Sequence, residues 1–233
     1  MKEPLITIIT PTTGKRSLYQ LMGNLEHQTV GWVHILLWDQ KREDDFLYPQ
    51  SHTNILMDIQ DLTKTERGQR YSIELPGAMV QGGACGSALR AIGLMAARTP
   101  YVTFADDDVW HDKNHLENLL KLVDNKEWAY CRRKIWRSQE EYIGVDNFES
   151  VGDSEDRKVP YEMVDNNCMI FKREFGASAA CLYRETKKYN DDRLMYAFLK
   201  KYAGKPGISK EATVNQVCPR KLEKMFRKGC TKE

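Results

Sequence analysis

At 233 residues the chain can bury one large core or two small ones. A hydrophobic share of 41% beside 29% charged residues fits a soluble globular protein and excludes a disordered one. The formal net charge of +2 gives no field for gathering a polyanion, so nucleic acid is not an expected partner.

Six cysteines, at 85, 131, 168, 181, 218 and 230, make neither a CxxC knuckle nor a disulfide framework in a chain this long. Reduced thiols in a cytosolic protein are expected. Met1-Lys2-Glu3-Pro4 leads into a short strand-like run, not a signal-peptide core. The other apolar runs, such as Val33 to Trp38, are too short to span a bilayer.

In chain order, Leu5-Ile6-Thr7-Ile8-Ile9-Thr10 predicts a buried strand stopped by Pro11, and Thr10-Pro11-Thr12-Thr13-Gly14 a loop at its end. Ser17 is a candidate cap for a helix with Leu18, Leu21, Met22 and Leu25 at core spacing. Val33 to Trp38 predicts a second buried strand ending on Asp39, and Asn54 to Ile59 a third. Strand, helix and strand in this rhythm point to a doubly wound α/β sheet, which binds ligands at the carboxyl rim of its strands. The polar stretch 60–83 carries no clear assignment. Gly82, Gly83 and Gly86 then open a helix from Ser87 to Ala97, with Ala88, Ile92, Met95 and Ala96 as a candidate apolar face. Arg90, one turn in, is an anion partner or a surface arginine.

Tyr101-Val102-Thr103-Phe104-Ala105 reads as a strand running into Asp106-Asp107-Asp108. Three adjacent carboxylates repel one another, which suggests a bound cation; the alternative is a solvated acidic turn. Asp112 is a candidate cap for a helix with Leu116, Leu119, Leu120 and Val123. Strands are predicted over Trp128 to Ile135 and Val164 to Phe171, with an acidic loop or hairpin at 140–158 between them. Glu174 to Tyr183 suits a helix. Asn190-Asp191-Asp192 precedes another with Leu194, Met195, Phe198 and Leu199, where aspartate is either an ordinary N-cap or a functional group. The last segment sets Arg220, Lys221, Lys224, Arg227, Lys228 and Lys232 against Glu223 and Glu233, with Leu222, Met225 and Phe226 on one helical face. It reads as a terminal helix packed on the domain, with peripheral contact to an anionic membrane as the alternative.

In this order the motifs resemble the family-2 inverting glycosyltransferases of GT-A fold, over about Leu5 to Ala203. Thr10-Pro11-Thr12 looks like the family's opening nucleotide-contact segment, and Asp39 like the acid that receives the donor base's N–H. Gly86, Arg90 and Gly93 resemble the family's glycine and basic residue before the metal motif, though Ala91 stands where asparagine is common. Phe104-Ala105-Asp106-Asp107-Asp108 matches the hydrophobic strand and Asp-x-Asp, and Trp110 to Leu120 the aromatic residue and Leu-Glu helix that follow. Asn190-Asp191-x-x-Leu194 resembles the family's Glu-Asp-x-x-Leu, with Asn190 in place of glutamate.

The resemblance implies a single-domain, Rossmann-like mixed sheet flanked by helices. A nucleotide-binding half of about 1–110 and an acceptor-binding half of about 111–204 would precede a basic tail at 205–233. It implies a metal-dependent, inverting transfer from a nucleoside-diphosphate sugar, with uridine weakly favoured by Asp39. The acceptor would be a hydroxyl of a glycan or lipid-linked molecule, as in bacterial surface polysaccharide synthesis. Asp108 would hold Mn2+ or Mg2+ directly, Asp106 would serve the metal or the ribose, and Asp107 would be the variable middle position, lying against the cofactor site. Arg90 would balance diphosphate charge. Asp191 would be the catalytic base, with Asp192 the alternative. Trp110 would stack on a sugar or fill the sheet edge. No histidine follows His115, so no distal histidine ligand is expected. The protein would be cytoplasmic, with peripheral contact at the inner membrane face as a further expectation.

Two other readings differ in class. Asp106-x-Asp108-Val109 also fits the nucleophile motif of haloacid-dehalogenase-like phosphatases, although about a hundred residues of α/β chain precede it here. A non-catalytic nucleotide-sugar binding subunit would keep the fold without turnover.

Overall fold

The computed structural model describes residues 5–39, 60–64, 68–75, 86–154, 157–160, 162–183, 191–218 and 220–231. The third strand expected at 54–59, together with Gly82, Gly83 and Asn190, lies outside them.

Alternating apolar runs and amphipathic stretches build a mixed sheet with helices packed against it. The first run is β1 (Ile6–Thr12), buried along its whole length. α1 (Ser17–Glu26) follows and buries Leu18, Leu21 and Leu25 as their spacing predicts. Its N-cap is Arg16, and Ser17 is the first helical residue without a capping bond. β2 (Trp32–Asp39) runs parallel to β1.

Within the unassigned 60–83 stretch lie β3 (Gln60–Lys64) and β4 (Gly68–Leu75), an antiparallel pair in which β4 lies parallel to β2. β4 is polar in sequence because it buries a cation. Arg70 is 4% exposed, pairs with Glu26, donates to His34 Nδ1 and lies over the Trp32 ring.

α2 (Ser87–Ala96) buries Leu89, Arg90, Gly93 and Leu94, while Met95 is 59% exposed. The helix is therefore rotated from the face expected at Ala88, Ile92, Met95 and Ala96. Glycine explains the rotation: a Cβ at Gly93 would fall 2.4 Å from Ile9 Cγ2, so only the bare backbone lets the helix settle on β1.

β5 (Tyr101–Phe104) pairs parallel to β1 on the side opposite β2. The chain order thus reverses at β1 and β5, leaving a crevice beyond their carboxyl ends. β6 (Val109–His111) and α3 (His115–Val123) come next, the helix burying Leu116, Leu119 and Val123. Asp112 does not cap α3 with its side chain. Its carboxylate instead takes bonds from Lys134 and Asn215.

β7 (Trp128–Trp136) and β8 (Tyr142–Asp146) form a hairpin, and β9 (Met169–Lys172) joins β7 to β5. A short 3-10 turn, Asn166–Cys168, occupies the start of the strand expected at 164–171. α4 (Glu174–Ala180) and α5 (Asp191–Tyr202) pack Ala179, Met195, Tyr196 and Leu199 into the main core.

Residues beyond Ala203 continue the sheet. β10 (Gly207–Val217) runs parallel to β7 and antiparallel to β6. α6 (Glu223–Gly229) and β11 (Cys230–Thr231) close the chain against β8. Leu222, Met225 and Phe226 pack with Ile135 and Ile143, so the apolar face of the basic segment is used within the protein.

Candidate active site

Strand register brings the expected residues together. Ile9 and Phe104 are partners in the β1–β5 ladder, and the Ala105 N–H extends it to the Ile9 carbonyl at 3.0 Å. Thr12 and Asp107 lie equally far past that pair, and the Thr12 hydroxyl donates to Asp107 Oδ2 at 2.7 Å. Pro11, Thr12, Thr13, Lys15, Gly86, Leu89, Arg90 and the three aspartates line a cleft of about 280 Å³ at this point.

Gly86 brings the third wall close. Its φ is +76°, and a Cβ there would stand 2.7 Å from Pro11 Cβ. This close approach places Arg90, one turn later and 5% exposed, at the cleft. Burial works against its charge, but Asp106 together with Tyr183, Asp192 and Asp191 outweighs that cost and holds the guanidinium firmly protonated.

The three aspartates have three different environments. Asp106 Oδ1 pairs with Arg90 Nη2, and Oδ2 accepts from Asn167 Nδ2 at 3.1 Å. The Asp106 N–H donates to Asn167 Oδ1 at 2.6 Å, so one asparagine clips both the backbone and the carboxylate. A phosphatase of the haloacid-dehalogenase type would need Asp106 as a nucleophile, yet both its oxygens are engaged. Asp107, expected as the variable middle position, is 4% exposed and bonded to Thr12. Asp108 has a side chain 51% exposed. Partial desolvation and then Asp106 push its carboxyl upward, against the pull of Lys15.

Lys15 is a residue the sequence reading missed. Its Nζ lies 3.0 Å from Asp107 Oδ1 and 3.0 Å from Asp108 Oδ2. Desolvation lowers the affinity of this amine for its proton, but Asp108 and Asp107 together raise it further and keep Lys15 charged. The ammonium is a stand-in cation and shows that the two carboxylates can share one. Among the described residues no three His, Cys, Asp or Glu side chains converge into a metal cage. Hard oxygen donors in small number still fit Mg2+ or Mn2+, which commonly take one or two carboxylates and complete their shell with water and phosphate oxygens. The histidines nearest in sequence point elsewhere: His111 and His115 stack in the core with centroids 4.1 Å apart, and burial pushes His111 down to about 4.

Asp191, at the start of α5, does not line the cleft but meets its Arg90 from the buried side. Its Oδ2 accepts from the Ser87 hydroxyl and lies 3.8 Å from Arg90 Nη1. Its Oδ1 is buried and has no hydrogen-bond partner among the described residues. Asp192 serves the backbone instead, accepting from the Asn166 N–H at 2.9 Å. Desolvation first, and the Asp165 carboxylate second, push Asp192 up to about 7.

Thr10 stands apart from the cleft: it is fully buried and bonds His34 Nε2 through its hydroxyl at 2.9 Å. Asp39 ends β2, and its side chain lies outside the described residues. Trp110 packs against Trp136, centroids 5.7 Å apart, and is not among the residues that line the cleft. Ser87 and Asn167 were also missed in sequence. The role of each depends on a partner far along the chain.

Residues 85–182 match the sequence model of Glycosyl transferase family 2. No curated protein matches the chain. Among solved structures, S. aureus TarS 1-349 superposes with a TM-score of 0.63 at 15% identity, covering 91% of this chain and 60% of that one. The same TarS fragment in complex with UDP gives 0.61 at 14% identity, with the same coverage. Its complex with UDP-GlcNAc gives 0.63 at 15%, covering 92% and 59%. The chain thus spans about 60% of the TarS fragment's length. The chain therefore carries a region similar to Glycosyl transferase family 2 and shares the fold of the TarS fragment.

Proposed function

We propose that the protein is a metal-dependent, inverting glycosyltransferase. It would move a sugar from a nucleoside-diphosphate donor, a UDP-sugar by this reading, to a hydroxyl of a glycan or lipid-linked acceptor. The observation that carries the proposal is the span of one guanidinium. Arg90 pairs with Asp106 and lies 3.8 Å from Asp191 Oδ2, so the donor-phosphate motif and the candidate base share a single cation. The UDP and UDP-GlcNAc complexes of the TarS fragment support a uridine donor.

In this reading Asp108, with Asp106 or Asp107 beside it, would hold Mn2+ or Mg2+. The cation would stabilise charge developing on the leaving diphosphate. Pro11 and Thr12 shape the donor side of the cleft, and Arg90 balances phosphate charge. The acceptor oxygen attacks the anomeric carbon opposite the leaving group. As that bond forms, its proton passes to Asp191 Oδ1, the carboxylate oxygen without a hydrogen-bond partner among the described residues. The bond from the anomeric carbon to the donor phosphate breaks, and the nucleoside diphosphate leaves with the electron pair. Attack from the opposite face inverts the anomeric configuration.

A cytoplasmic location belongs to the same proposal, as does peripheral membrane contact through the exposed basic residues of α6. Among the described residues no helix is long and apolar enough to cross a membrane. The test is a panel of nucleotide sugars with Mn2+, scored by thermal shift and by release of free nucleoside diphosphate. Stabilisation and turnover with a UDP-sugar are expected. Indifference to every donor in the panel would overturn the reading.

A further inference from the structure

We propose that Lys15 is a tethered counter-cation that occupies the metal's place in the donor-free protein and moves to the donor's phosphates when the metal binds. The inference rests on the transferase reading and deepens it. Two equal contacts define the position: Nζ is 3.0 Å from Asp107 Oδ1 and 3.0 Å from Asp108 Oδ2. A divalent ion bound through Asp108 would meet this ammonium at contact distance, where like charges exclude each other. The two cations therefore compete for the same oxygens.

The loop carrying Lys15 separates a fixed base from a movable head. Thr12 is 3% exposed, donates to Asp107 and accepts from the Gly14 N–H at 2.9 Å, so the backbone beside the cleft is anchored. The Lys15 side chain is 53% exposed, on a four-carbon stem that can swing without disturbing that anchor. The other basic group at the site has no such freedom: Arg90 is 5% exposed and held between Asp106 and Asp191. A diphosphate in the cleft would offer Lys15 a second set of anionic oxygens, since Lys15 and Arg90 both line that space. Donor binding thus frees the carboxylates for the metal, and metal binding frees the ammonium for the donor. By linkage each strengthens the other by the same factor.

Lys15→Met keeps the stem and removes the charge. Mn2+ binding is measured by the free-ion electron paramagnetic resonance signal, with and without UDP, for wild type, Lys15→Met and Asp108→Ala. Without UDP, Lys15→Met should bind Mn2+ about 10-fold more tightly than wild type. The gain in Mn2+ affinity on adding UDP should be large in wild type and smaller in Lys15→Met, where only the phosphate oxygens' own bonds to the metal remain. Asp108→Ala should lose binding in both conditions. Unchanged or weaker Mn2+ affinity of UDP-free Lys15→Met, with UDP-dependent binding intact in wild type, would overturn the inference and leave the transferase reading standing. Absence of Mn2+ binding by wild type even with UDP would overturn both.

Discussion

The hydroxyl of Ser87 donates to Asp191 Oδ2, joining residues 104 positions apart and tying the first turn of α2 to the first turn of α5. Arg90, also on α2, reaches the same carboxylate oxygen. One helix therefore orients the candidate base while gripping the first aspartate of the metal motif. The pairing fills Oδ2, while the buried Oδ1 has no hydrogen-bond partner among the described residues.

Asp192, next to the candidate base, should report on stability. Its carboxyl, pushed up to about 7 in the fold from an ordinary value of 3.8, binds its proton more tightly in the folded state than in the unfolded chain. Stability from this group is full below about pH 4 and is lost as pH rises to about 7. Asp192→Asn keeps an acceptor for the Asn166 N–H and removes the titration. It should raise the melting temperature at pH 8 relative to wild type and change it little at pH 4. A lower melting temperature at pH 8 would contradict the assignment.

Asn167 should matter to binding as well as to folding. Its amide bonds Asp106 twice and Asp165 Oδ1 once, the last at 2.7 Å. Asn167→Ala should cost about 1–3 kcal/mol in chemical denaturation by leaving buried partners unsatisfied. It should also weaken Mn2+-dependent UDP binding by the fraction that remains folded, because the Asp106 carboxylate loses its clip. Undiminished affinity would confine the asparagine to a structural role.

Gly93→Ala tests the contact that seats α2. The new methyl meets Ile9 Cγ2 at 2.4 Å and Leu37 Cδ1 at 2.9 Å in a filled core. Overpacking of this kind costs about 1–3 kcal/mol, read as a lower midpoint in urea. The helix carries Arg90, so donor affinity should fall as well.

Asp108→Ala should separate function from fold. The side chain is half exposed and its carboxyl is pushed upward rather than stabilised, so its loss should shift stability by no more than about 0.5 kcal/mol. Mn2+-dependent binding of UDP, followed calorimetrically, should disappear. Binding retained at wild-type strength would remove Asp108 from the metal site.

Much of the fold was legible because strong patterns coincide with deep burial. β1 and β5 are apolar runs that end in punctuation, Pro11 and the aspartates, and that punctuation is where the cleft lies. β10 escaped notice because Gly-Ile-Ser-Lys-Glu is half solvated, and its continuous burial begins only at Ala212. The face of α2 was misjudged because a glycine carries no hydrophobic signal, yet the closest helix–strand approach runs through Gly93. Where a family motif names a residue, the fold brings several together: Thr12, Arg90, Asp106 and Asp108 line one cleft, and Asp191 lies 3.8 Å from Arg90. Sequence could not tell how three consecutive aspartates divide their directions, since a turn decides that Asp107 points inward and Asp108 outward. Nor could it bring Lys15, Ser87 and Asn167 to partners roughly a hundred or sixty residues away in the chain.

The most direct measurement of the central claim is nucleoside diphosphate release from a donor sugar, with Mn2+ and acceptor, by wild type, Asp191→Asn and Asp192→Asn side by side. Loss of a general base costs about 10²–10⁴-fold in rate, so Asp191→Asn should fall by that much while binding UDP as wild type does. Asp192→Asn should retain most of its turnover. Full turnover by Asp191→Asn, or its loss in Asp192→Asn alone, would contradict the account.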